Sequence, residues 1–323
     1  MPWQDTPRYT FTMVDELPKQ LYVAHGEPVD FKVQLAAQTV SRPQHGVVQP
    51  GMQRPINSTL TGNEYTFGLP PQIDSSMLNI EIGDFTQELP IEPVLRPEIS
   101  SFVADVRLPE YLERKESLHK DVRGGAVSLV KGSAATFTAT ASRKLTTASV
   151  AGQSISPAEA TIVSPSQNVD ADSKVTFEWT DEYGLSGKEP FTLTIKSLDD
   201  EEPAISCVDL PRRRVVLDSE QLTFTVHAQD DFGVKRVGIV WQGLDTTNFS
   251  SPAQGERIIS AGGPDKEQME LSGTFTASSL GIEPQPIEVR LFAEDYFPGR
   301  ERVYSPPHLL YVLDAEQIEL SPV

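Results

Sequence analysis

Carboxylates gather at a few points of this 323-residue chain, the kind of grouping that a hard cation or an acid–base pair requires. Asp230 and Asp231 stand side by side in HAQDDFGVKRVGIVWQG, from His227 to Gly243. Asp199, Asp200, Glu201 and Glu202 form a run in SLDDEEPAIS. Asp181 and Glu182 lie in WTDEYG, Glu294 and Asp295 in FAEDYFPG, and Glu110, Glu113 and Glu116 in the charged stretch EYLERKESLHKDVRGG. A Ca²⁺ ion takes about six to eight oxygen ligands, so several of these segments would have to converge to hold one. Two readings of the Asp pair stand together. Adjacent residues on an extended strand point to opposite faces, which argues against both ligating one ion. Asp followed by Gly also forms turns, through side-chain to backbone hydrogen bonds and the tolerance of glycine for positive φ.

Catalysis has less support. A paired-carboxylate glycosidase needs two groups set across a cleft at about 5–9.5 Å, and a chain of small sandwiches supplies no cleft. His25, His45, His119, His227 and His308 are scattered without a zinc-ligand spacing. No GxSxG element is present, and Cys207 near a strand start reads as a small buried residue. GGPDK, from Gly262 to Lys266, is a Gly-Pro loop without the rest of a phosphate-binding motif. No reaction-specific constellation is present, and no enzyme activity is expected.

The elements that must position these residues are short strands. Twenty-six prolines and twenty-one glycines punctuate the chain, and long amphipathic helical windows are missing. LTFTVHA sets Leu222, Phe224, Val226 and Ala228 on one face. PVDFKVQLA does the same with Val29, Phe31, Val33 and Leu35, and SAATFTATA with Ala135, Phe137, Ala139 and Ala141. A period of two marks a half-buried strand. In each, Gly26, Gly132 or Ser219 lies five residues before the phenylalanine. A Leu-Pro step stands upstream: Leu17-Pro18, Leu108-Pro109 and Leu210-Pro211. The Leu-to-Phe separation is 14, 29 and 14 residues, so the second copy carries an insertion near 110–125. A Thr-Phe motif follows in each copy, at Phe67, Phe177 and Phe275, and PEIS and PAIS open new copies. Three units follow: 1–96, 97–201 and 202–323. Short strands with turns at this spacing predict an all-β chain of three tandem immunoglobulin-like β-sandwiches in an elongated arrangement. Trp241 is placed in the third core, on the third strand. The polar connection from Gly243 to Gly273 is expected to hold extra edge strands and a loop.

Charge and composition bound the partners. Lys plus Arg is 27 and Asp plus Glu is 46, a net charge of −19, which disfavours nucleic acid and anionic lipid. A single cysteine excludes an intrachain disulfide, and no stretch of about 18 apolar residues could span a membrane. MPWQDTPRYT has no basic patch before an apolar core and is not a signal peptide. VLDAEQIELSPV stops without closure, as in an excerpt from a longer protein.

The pattern AxDDFGVxxVxIxW, the later LFAEDYFPG and the segment WTDEYGLSGKEPFTLTI resemble bacterial immunoglobulin-like repeats of large extracytoplasmic proteins, with features of cadherin-like repeats. The resemblance implies a periplasmic or cell-surface location. It also implies a non-enzymatic role in spacing, adhesion or binding of a protein partner, including the rest of its own longer chain. An accessory binding module of a carbohydrate-active protein is the alternative from another class. Cadherin-type repeats stiffen their junctions with Ca²⁺, and the same layout here would make Asp181, Glu182, Asp199, Asp200, Asp230, Asp231 and Asp295 a Ca²⁺ site between units 2 and 3. The linker DDEEP departs from the cadherin linker in lacking its asparagines. The first linker, PVLRPEIS, faces a loop with Arg143 and Lys144, where no cation is expected.

Overall fold

The computed structural model describes residues 11–244 and 252–314. Among them the only helices are two short 3₁₀ turns. In the first sandwich β1 (Leu21–Ala24), β2 (Val29–Gln34), β3 (His45–Pro50), β4 (Ile56–Thr59), β5 (Glu64–Leu69), β6 (Ser76–Ile82) and β7 (Phe85–Val94) form two sheets. One runs β1-β7-β6-β3-β4; the other is the β2-β5 pair.

The second contains β8 (Ile99–Arg107), β9 (Leu118–Asp121), β10 (Ala126–Val130), β11 (Ala134–Ala141), β12 (Leu145–Val150), β13 (Gln153–Ile155), β14 (Thr161–Val163), β15 (Gln167–Asn168), β16 (Ser173–Asp181) and β17 (Phe191–Leu198). Its sheets run β10-β17-β16-β12-β13 and β14-β11-β8-β9, with β15 alongside β11. The third contains β18 (Ala204–Val208), β19 (Arg213–Leu217), β20 (Leu222–Gln229), β21 (Arg236–Gly243), β22 (Gln254–Ala261), β23 (Gln268–Phe275), β24 (Pro286–Glu294), β25 (Val303–Tyr304) and β26 (His308–Leu313). Its sheets run β19-β26-β24-β21-β22 and β18-β20-β23, with β25 on β24.

Each pair of sheets closes over its own apolar core, because alternate residues of every long strand face inward. On β2, β11 and β20 the inward residues are those of the period-two pattern; Phe31, Phe137 and Phe224 are all buried. In the second core Phe102 packs edge-on against Phe137, Phe177 and Phe191, at centroid distances of 6.5, 4.8 and 5.0 Å. Trp241 lies on β21 and packs edge-on to Phe275 at 6.3 Å. The fold is all-β, a tandem of immunoglobulin-like sandwiches.

One repeat register needs correcting. Phe67 on β5 and Phe275 on β23 sit beside β2 and β20, but Phe177 on β16 lies in the opposite sheet, between β12 and β17. A strand in either sheet reads as the same apolar–polar alternation, so the Thr-Phe motif does not identify which sheet it joins. With β16 so placed, WTDEYG turns at the end where the chain enters the second sandwich, facing the first and not the third. Part of the Gly243 to Gly273 connection is the edge strand β22; its residues 245–251 lie outside the described residues.

Candidate functional site: the junctions between sandwiches

β16 and β24 occupy equivalent places in the second and third sandwiches; β16 ends in a buried aspartate, Asp181, and β24 is followed directly by one, Asp295. Asp181 accepts hydrogen bonds at Oδ1 from the N–H groups of Tyr183 (3.0 Å) and Leu185 (2.8 Å). Asp295 accepts one at Oδ1 from Phe297 N–H (2.9 Å). These side-chain turns fix an aromatic ring two residues on, and both rings reach the preceding sandwich. Tyr183 stacks on Tyr22 with centroids 4.2 Å apart, and Phe297 meets the edge of Tyr111 at 5.3 Å.

An arginine completes each arrangement. At the second junction Arg300 bridges Asp200 of the linker (Nη1 to Oδ1, 2.7 Å) and Asp295. It also donates to the carbonyls of Asp200 (2.5 Å) and Glu201, and lies 4.6 Å over the Phe297 ring. The Arg300 side chain is only 14% exposed and those of Asp200 and Asp295 only 2%. At the first junction Arg143 pairs with the fully buried Asp181 at 3.4 Å, donates to the carbonyl of Leu95 in the linker, and lies 5.6 Å over Tyr183. Arg96 of the same linker makes a forked pair with Glu27 of the first sandwich and donates to the carbonyl of Ser186 in the second. Trp179 Nε1 donates to the carbonyl of Pro97 (2.9 Å). A planar guanidinium has several donors in fixed directions, so one side chain can hold a carboxylate and a linker carbonyl at once.

The charged insertion packs into the second junction. Glu110–Leu112 forms a 3₁₀ turn. Leu108, Leu112 and Val130 of the second sandwich bury against Tyr296 of the third, with Tyr111 and Phe232 at the margin, a small apolar core spanning the two. Tyr111 donates its hydroxyl to Asp200 Oδ2 (3.0 Å). Arg114 reaches across to the carbonyl of Pro264 (2.6 and 2.9 Å from its two nitrogens).

DDFG is the corner between β20 and β21, and its two carboxylates accept from different backbone groups. Asp230 Oδ2 accepts from Phe232 N–H (3.1 Å), while Asp231 Oδ2 faces Glu201 N–H at 3.4 Å. Gly233 sits at φ +106°, and a Cβ there would meet the carbonyls of Gly263 and Pro264 at 2.6–2.7 Å. We therefore expect Gly233→Ala to cost about 2–4 kcal/mol in denaturant unfolding, since both the backbone conformation and the space refuse a side chain.

Asp230 is 4% exposed, and its Oδ1 has no hydrogen-bond partner among the described residues. Burial, with Asp295, Asp231 and Asp200 close by, pushes its carboxyl up to about 7 against the single backbone N–H that favours the charge. Burial raises Asp200 and Asp231 as well, with Arg300 and Tyr111 pulling Asp200 back.

The seven expected metal ligands do not converge. Asp181 and Glu182 belong to the first junction. The Asp199 side chain is exposed, 3.9 Å from Lys131. Asp200, Asp230, Asp231 and Asp295 do collect at the second junction, where Arg300 pairs with Asp200 and Asp295. The orphaned Asp230 Oδ1 would suit a cation, but among the described residues no three His, Cys, Asp or Glu side chains are disposed to hold a metal ion. The positive charge set against Asp200 and Asp295 is the Arg300 guanidinium. Sequence reasoning missed Arg300 and took Arg143 only as a deterrent to cations. The available signal was an Asp two residues before an aromatic in both WTDEYG and FAEDYFPG.

The chain matches no protein-family model and no curated protein. Among solved structures it is similar to domains 1–6 of the surface layer protein SbsC, at 15% identity and a TM-score of 0.33, covering 98% of this chain and 42% of that one. It is also similar to a 1.5-MDa bacterial ice-binding adhesin, at 10% identity and a TM-score of 0.31, covering 90% and 91%. Fibronectin(III)-like modules of CbhA from Clostridium thermocellum match at 13% identity and a TM-score of 0.31, covering 58% and 94%. Likenesses this loose carry no weight for function; the fold rests on the sheets themselves. No helix among the described residues is long and apolar enough to cross a membrane.

Proposed function

We propose that this segment is a non-catalytic structural spacer whose two junctions are locked by built-in arginines, so that it holds whatever lies at its ends at a set separation. The carrying observation is that each linker has a carbonyl held by an arginine that is also paired with a buried aspartate at the end of β16 or β24. Domains joined by short linkers move relative to one another unless the interface is large or specifically pinned. Here Tyr22 on Tyr183 and Tyr111 on Phe297 add a packed contact to each pin. The resemblance to bacterial immunoglobulin-like repeats supports an extracytoplasmic setting, with the remainder of a longer chain or a protein partner as what is spaced. Trp179 and Trp241 are buried, so neither offers the platform that a sugar-binding module needs.

Pulsed electron-electron dipolar spectroscopy tests the spacer directly. With Cys207→Ser removing the native thiol, spin labels at Lys196 and Glu270 should report one narrow distance distribution across the second junction. Arg300→Ala should broaden it, and an equally narrow distribution in that variant would sink the pinning role.

A further inference from the structure

Among the described residues β19 is the edge of its sheet and pairs, in parallel, with β26 alone. Leu309 N–H donates to the carbonyl of Arg212, and Asp218 N–H to that of Leu313. In this register residues 214 and 216 turn their backbone groups toward β26, so those of Arg213 and Val215 face outward. No hydrogen bond to either outward pair is present among the described residues. Leu217, the next outward residue, is closed off by Glu220.

The side chains along this edge set it apart. Arg212, Arg213 and Arg214 are the only run of three consecutive basic residues in a chain of net charge −19. All three are exposed. Arg214 is paired with Glu220, whereas Arg212 and Arg213 have no acidic partner among the described residues. Beside them Val215 (58% exposed) lies directly across from Tyr311 (43%), an apolar spot on the outer face. The equivalent edges of the other sandwiches differ. β1 and β10 carry no basic residue, and Tyr22 of β1 is already engaged with Tyr183.

We propose that the β19 edge is a docking site for an acidic, extended segment of a partner protein, which adds as a strand outside Arg213 and Val215. Strand addition draws affinity from main-chain hydrogen bonds and specificity from alternate side chains. A glutamate or aspartate beside Arg212 or Arg213 would neutralise a charge, and an apolar neighbour would cover Val215 and Tyr311. A second copy of this chain fits less well, since its β19, Arg-Arg-Val-Val-Leu, offers no acidic residue to answer Arg212 and Arg213. Charged residues on an edge strand also serve simply to prevent pairing, and the experiment separates that role from docking.

The probe is a fluorescein-labelled peptide of alternating glutamate and valine, followed by anisotropy, with a lysine–valine peptide as control. The acidic peptide should bind saturably and the basic one should not. Arg212→Glu with Arg213→Glu should weaken binding about tenfold or more. Val215→Pro removes an outward N–H that the β26 ladder does not use, and should weaken binding comparably with charge unchanged. Thermal melts establish that both variants are folded. No binding to the native protein would make the arginines an edge guard and overturn the proposal. Full binding to Val215→Pro would reduce the site to a charge contact open to any polyanion, and overturn strand addition equally.

Discussion

Arg300→Ala should lower the unfolding midpoint of the third sandwich by roughly 12–40 °C, more than any other single truncation at the junctions. The residue holds Asp200 and Asp295, both almost fully removed from water, together with two linker carbonyls. Breaking a buried pair by deleting one partner leaves an uncompensated charge and costs about 3–5 kcal/mol. For a domain of about 100 residues each kcal/mol moves the midpoint by about 4–8 °C. Lysine should rescue little, because a point charge cannot reach both carboxylates and both carbonyls from one position. Adding Asp295→Asn to Arg300→Ala should recover part of the loss, since the orphaned carboxylate is then gone. Differential scanning calorimetry of the two single variants and the double variant measures this coupling. If Arg300→Ala melts within about 2 °C of the native protein, the guanidinium is not what compensates these charges.

The second large effect runs against the usual pH dependence of carboxylates. Asp230 has its carboxyl raised to about 7 in the folded chain against 3.8 for an ordinary aspartate. The folded state therefore holds a proton that the unfolded state releases. The associated stability is fully present below about pH 4 and is lost as pH rises through about 7. Raised Asp200 and Asp231 act in the same direction. Glu27 and Asp84 are held low by hydrogen bonds from Arg96 and from Thr12 and the Phe11 backbone, and they contribute in the opposite sense, losing their stabilisation in acid. Stability should therefore fall between about pH 4 and pH 7 by on the order of 2–4 kcal/mol. Asp230→Asn should remove most of that slope. Its amide can keep the bond from Phe232 N–H while turning a donor, not a charge, toward Asp295, Asp231 and Asp200. The variant should melt several degrees above the native protein at about pH 8 and close to it at about pH 4. Parallel melting curves at both pH values would show that Asp230 is ionised at no cost.

What the sequence made legible was whatever repeats at short range. The faces of β2, β11 and β20 follow directly from alternation in PVDFKVQLA, SAATFTATA and LTFTVHA, because burial of one face leaves a period of two. The gathering of Asp200, Asp230, Asp231 and Asp295 at one junction also follows from loop order. What went unread depends on partners far apart in the chain. Arg300 meets Asp200 a hundred residues upstream, and Arg143 reaches Leu95 across 48. Neither leaves a local pattern, so the cluster of acids drew attention to an external cation and not to the arginine that pairs with Asp200 and Asp295. WTDEYG was assigned to the wrong end for a related reason: alternation reports that a strand is half-buried and not which sheet it joins.

The most direct test of locked junctions is the spin-label distance across each of them in chelator, with labels at Glu88, Lys196 and Glu270 in the Cys207→Ser background. Arginine-pinned junctions give narrow distributions for Glu88–Lys196 and Lys196–Glu270 with no metal present, and added Ca²⁺ changes neither. A broad Lys196–Glu270 distribution that narrows only when Ca²⁺ is added would contradict this, returning the acidic cluster to the role of a metal-stiffened hinge.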